Sequence, residues 1–104
     1  MTSIADIEDL PAHGSCGVQH EGRELLLVRR GEEVLAYENR CPHTGETLDP
    51  LGRSVLSEDG LLLQCQRHAA QFVVATGECV GGPCLGERLE PVAVIVSQGA
   101  LYPD

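Results

Sequence analysis

Aromatic side chains are nearly missing from this sequence: Tyr37, Phe72 and Tyr102 are the only ones in 104 residues. A core must therefore be built from Leu, Val, Ile and Ala, a composition that favours compact β structure. Basic residues are scarce as well. Seven against 16 acidic ones give a formal charge of -9, which argues against nucleic acid or an anionic membrane as partner and favours a basic surface on another protein. No stretch approaches membrane-spanning length, and the opening MTSIADIEDL carries acid where a signal peptide needs a basic region and a long apolar run. These absences predict a cytoplasmic location without a membrane partner. Thiols stay reduced there, so metal ligation accounts for five cysteines better than disulfides do. Also absent are long-period repeats, low-complexity segments and any helical periodicity of useful length. One domain spanning residues 1–104 is expected, too small to hold a catalytic domain beside a metal site.

Two short stretches carry the chemistry, CPHTG at 41–45 and CQRHAAQF at 65–72. Each offers one thiolate and one imidazole, Cys41 with His43 and Cys65 with His68, in the pattern C-x-H, 21 residues, C-x-x-H. Two soft sulfur donors and two borderline nitrogen donors suit either one tetrahedral metal ion or a two-iron cluster. Zinc is the weaker choice, because zinc fingers more often open with a paired-cysteine knuckle and take both histidines from a helix.

The elements around these stretches read as strands. Residues 3–7 are expected to form a short strand before a turn at Leu10-Pro11, and 16–20 a second. ELLLVRR at 24–30 and EVLAYE at 33–38 form a hairpin about Gly31-Glu32 and run directly into Asn39-Arg40-Cys41. Asp59-Gly60 signals a tight turn before residues 61–64. Residues 71–75 and 78–80 form another hairpin about Thr76-Gly77, and VAVIVS at 92–97 is expected to lie in the core. Between these last strands lies GGPC at 81–84, whose glycines allow close backbone approach and whose proline fixes direction, as a loop covering a metal site requires. Cys16 is read as a small core residue and Cys79 and Cys84 as core thiols, a labile disulfide or an accessory metal pair. His13 and His20 are read as surface residues.

The paired mixed knuckles together with the Gly-Pro loop resemble the Rieske proteins, and among them the small Rieske-type ferredoxins, over nearly the whole chain. The resemblance implies an all-β fold with an antiparallel β-sandwich or barrel base, residues 1–40 and 86–104, and an inserted two-loop cluster-binding subdomain, residues 41–85. It implies one [2Fe-2S] cluster with Cys41 and Cys65 on one iron and His43 and His68 on the other. The function implied is one-electron transfer, without catalysis of its own, from a flavin reductase to an oxygenase through transient docking of a monomer. Alternatives are the small subunit of a larger oxidoreductase of nitrite-reductase type and a zinc-stabilised interaction module.

High-potential members of that family have an extra cysteine in each ligand loop and hydroxyl groups bonded to sulfur. Here Glu46 and Arg67 stand where the cysteines would fall, and Ala70 and Phe72 where the hydroxyls would be. Fewer donors to sulfur leave the charge added on reduction less stabilised, so the low end of the range is expected, roughly -150 mV. Arg67 acts in the opposite direction. Ala69 replaces a glycine common in relatives, a substitution that costs about 1 kcal/mol if the backbone there has positive φ.

A ligating imidazole keeps a second nitrogen that loses its proton at high pH, where reduction must then work against the added negative charge. The reduction potential is therefore expected to fall with pH in the alkaline range. Voltammetry showing a pH-independent potential up to strongly alkaline conditions would remove the histidines from the ligand set.

Overall fold

The computed structural model describes residues 3–42, 45–49, 52–66, 69–82 and 84–104. His43, His68 and Arg67 lie outside the described residues. Among the described residues nine strands occur in chain order: β1 Ala5–Asp6, β2 His13–His20, β3 Arg23–Arg30, β4 Glu33–Glu38, β5 Leu62–Gln64, β6 Gln71–Val73, β7 Cys79–Gly81, β8 Val94–Ser97 and β9 Ala100–Pro103. They form three antiparallel three-stranded sheets, β2-β3-β4, β5-β6-β7 and β1-β9-β8. Among the described residues the only helical element is a 3₁₀ turn, Ile7–Asp9.

The apolar run in β3 has a simple cause. Leu25 to Val28 are all buried because β3 is a central strand with packing on both faces. Leu26 and Val28 join one core with Tyr37, Leu48, Leu63, Phe72, Val74 and Leu89, together with Cys41, Cys65, Cys79 and Cys84. Leu27 points to the other side and packs with Leu10, Ala36 and Leu101. The period-two alternation of one strand thus feeds two cores, and four of the five cysteines lie in the first. Cys16 is half-buried against the second.

The segment after the covering loop stitches the β5-β6-β7 sheet to β4. Cys79 N–H donates to the Glu87 carbonyl and Leu89 N–H to that of Gly77, both at 2.9 Å or less. Further on, Glu38 N–H donates to Glu90 and Val92 N–H to Ala36, each at 2.9 Å. The buried Tyr37 hydroxyl donates to the Val74 carbonyl at 2.7 Å and adds a side-chain tie between the same parts.

Two expectations need correction. The strand expected over 3–7 is only Ala5–Asp6, because the chain enters a 3₁₀ turn at Ile7. The VAVIVS run is not a core strand. Its strand begins only at Val94, at the edge of its sheet, with Ile95 and Val96 46% and 52% exposed. The core position belongs to β9, central in that sheet, whose Leu101 is fully buried. An apolar run cannot by itself distinguish a central strand from an edge, and here the turn at Gln98-Gly99 returns the chain on the inner side.

Burial raises the Tyr37 pKa above its ordinary 10.0, an effect partly offset by the Arg88 and Arg30 guanidinium groups. A raised folded-state pKa means that the stabilisation is complete below the unfolded value and is lost as pH rises through the folded one. Tyr37→Phe is expected to cost about 1 kcal/mol at neutral pH, since it leaves the Val74 carbonyl without its donor. Urea denaturation should show that the gap between wild type and variant narrows above pH 10.

Candidate metal-cluster site

The two cysteine loops are built in the same way. Cys41 N–H donates to the Glu46 carbonyl at 2.7 Å, and Gly45 N–H donates to the Cys41 carbonyl at 2.7 Å. In the second loop Cys65 N–H donates to Ala70 at 2.9 Å, and Ala69 N–H donates to Cys65 at 3.1 Å. In each case a bond to the fifth residue on and one from the fourth close a six-residue loop over the cysteine. The fourth residue is left-handed in both loops, Gly45 at φ +77° and Ala69 at φ +56°. The expectation that Ala69 occupies a glycine-type position therefore holds.

Each loop is mounted on a strand. β4 leads into Asn39, and β5 ends one residue before Cys65. Asn39 is buried, and its side chain clamps the first loop by accepting from Leu48 N–H at 2.8 Å and donating to Asp49 Oδ1 at 2.7 Å. Gln66 N–H donates to the Leu48 carbonyl at 3.0 Å, so the far end of the first loop is tied to the second. The roles of Asn39 and Asp49 do not follow from the motifs of the sequence. The available signal was an Asn at a strand exit, where its short polar side chain competes for neighbouring backbone groups.

The covering loop reaches both cysteine loops. Gly82, at φ +84°, lies so close to the second that an added Cβ would sit 2.8 Å from Ala70 Cα. Cys84 Sγ lies 3.7 Å from Cys41 Sγ in the first. The close-approach role expected of the glycines is thus seen at Gly82. Cys79 donates its thiol to the Gly81 carbonyl at 3.2 Å. None of the five cysteines forms a disulfide, which removes that alternative for Cys79 and Cys84. Their burial matches the core reading.

The residues present fit a sulfur-ligated metal group. Cys41 and Cys65 are 0% and 1% exposed at the bases of equivalent loops. Buried thiols held in this way can act as ligands with water excluded from the metal–sulfur bonds. The histidine positions fall inside the same two loops, outside the described residues. Elsewhere, His13 is exposed as expected and bonds to the Ser57 carbonyl at 3.0 Å. His20 departs from the surface reading, with its side chain only 12% exposed.

A profile of the Rieske [2Fe-2S] domain matches residues 1–97. The chain belongs to the Rieske [2Fe-2S] family. As a Rieske protein it carries a single [2Fe-2S] cluster, and its all-β antiparallel architecture is that of the family. It is similar to oxidoreductase NdmD of Pseudomonas putida, 35% identical over 95 residues that make up 90% of this chain and 15% of that protein. It is similar also to the 3-phenylpropionate/cinnamic acid dioxygenase ferredoxin subunit of Photorhabdus laumondii, 25% identical over 99 residues, 95% of this chain and 89% of that one. Among solved structures it superposes on the complex of reduced oxygenase and oxidized ferredoxin in carbazole 1,9a-dioxygenase. The TM-score is 0.81 with 25% identity, covering 99% of this chain and 100% of the matched one. A ferredoxin of this shape thus docks on an oxygenase in that system.

The paired loops allow a reciprocal test. Ala69→Gly should stabilise the protein by about 1 kcal/mol by relieving the left-handed alanine. Gly45→Ala should destabilise it by about the same amount, through the left-handed φ, since among the described residues the added Cβ meets only the Arg40 side chain, no closer than 3.6 Å. Chemical denaturation of both variants giving shifts of the same sign would contradict the equivalence of the loops.

Proposed function

We propose that this Rieske protein is the ferredoxin component of a dioxygenase-type system. In this reading Cys41 and Cys65 ligate one iron and His43 and His68 the other. The protein takes one electron at a time from a flavin-dependent reductase and passes it to an oxygenase. It acts as a cytoplasmic monomer without membrane attachment, and its chemistry is transfer alone, so turnover belongs to its partners.

The observation that carries the reading is the equivalence of the two loops. Each presents a buried cysteine at its base, and in each the histidine of the motif follows before the closing left-handed residue. The bound cluster supplies one-electron storage that alternates between two oxidation states. The chain supplies two ligand loops closed by backbone hydrogen bonds, exclusion of water from the cysteines and a docking end. Leu85, 67% exposed, follows the covering loop directly, and Val80, 51% exposed, stands just before it. Apolar contacts beside the site, within a surface of net charge -9, suit brief association with a more basic partner. We assign residues 41–85 to a cluster-binding subdomain and residues 1–40 and 86–104 to the base that holds it.

The test is anaerobic purification followed by visible absorption and EPR of the dithionite-reduced protein. A low-average-g signal of a two-iron cluster with mixed ligands is expected, and His68→Cys should keep iron while lowering the potential. Colourless protein with one zinc per chain would replace this reading with a zinc-stabilised module. Stable co-purification with a large subunit would replace it with a subunit role.

A further inference from the structure

Cys84 lies in the first core, outside both cysteine loops. Its Sγ lies 3.7 Å from Cys41 Sγ, and both side chains are buried, at 1% and 0% exposure. A hydrogen bond joins two sulfurs at this separation only if one carries the proton. Cys41, as a metal ligand, is a thiolate with lone pairs to offer, so Cys84 is the donor. The geometry is held from both sides. Glu87 N–H donates to the Cys84 carbonyl at 2.9 Å, closing the turn after it, and Gly82 is pressed against the Ala69–Ala70 backbone before it.

We infer that Cys84 is a positioning residue that donates its thiol proton to Cys41 Sγ and so favours the reduced state of the site. The inference rests on the proposed ligand role of Cys41. Reduction adds one electron and no proton; Cys84 keeps its hydrogen throughout, and its bond strengthens as the negative charge on the ligand sulfur grows. Ala70 and Phe72 offer no hydroxyl to the site, whereas the covering loop brings this donor from a different part of the chain.

The test compares the reduction potentials of wild type, Cys84→Ala and Cys84→Ser, each checked by EPR for an unchanged cluster signal. Cys84→Ala should shift the reduction equilibrium toward the oxidised form by about threefold, on a scale where a tenfold change is ~59 mV for one electron. Cys84→Ser, which keeps a donor, should recover at least half of that shift; a purely packing role would give serine no such advantage. Redox-difference infrared spectroscopy of the wild-type protein adds a readout that survives failure of the variants to assemble. One S–H stretching band, absent from the variants that do fold, should move to lower frequency on reduction. An unchanged potential in Cys84→Ala with an intact signal, or no S–H band that responds to reduction, would overturn the inference while leaving the Rieske reading intact. Absence of the Rieske EPR signal from wild type would instead overturn the function on which it rests.

Discussion

The structure depends on the need to satisfy backbone polar groups around two buried cysteines. A loop that buries a thiol also brings its own N–H and C=O groups out of water, and each one left without a partner costs about 1–3 kcal/mol. Both cysteine loops answer with the same pair of bonds, from the cysteine N–H to the fifth residue on and from the fourth residue back to the cysteine carbonyl. That closure demands a left-handed residue at the fourth position, which accounts for Gly45 and for the strain accepted at Ala69. Asn39 then serves the first loop as a side-chain substitute for the backbone partners that a sheet would have provided.

Much of this was legible in advance because it is written in local signals. The β3–β4 hairpin follows from two apolar runs about Gly31, and its second strand, expected at residues 33–38, lies there. The two knuckles carry metal-ligand chemistry in their residue types, and the close approach at Gly82 follows from what two glycines and a proline permit. The parts that were not legible depend on partners distant in sequence. Nothing within VAVIVS tells that Ile95 and Val96 face solvent, since that depends on β9 taking the inner place. Asp49 acquires its role only when Asn39 is folded against it. The thiol of Cys84 meets Cys41 across 43 residues of chain, and no spacing rule relates the two.

Tuning at this site is a balance of small donors. Where a hydroxyl would bond to sulfur, the chain has Ala70 and Phe72, both fully buried and apolar. A thiol is a weaker donor than a hydroxyl, so Cys84 offsets only part of that loss.

The pairing of β1 with β9 joins Ala5 to Leu101, so one sheet of the base is assembled from opposite ends of the chain. Contacts of such separation are slow to form, because the entropy of closing the intervening chain is lost before any bond rewards it. During synthesis the cysteine loops thus leave the ribosome before the strand that completes this sheet. The first core, which buries four of the cysteines, contains no residue beyond Leu89, so its packing does not wait for the last strand, and metal can arrive while the second core is still open.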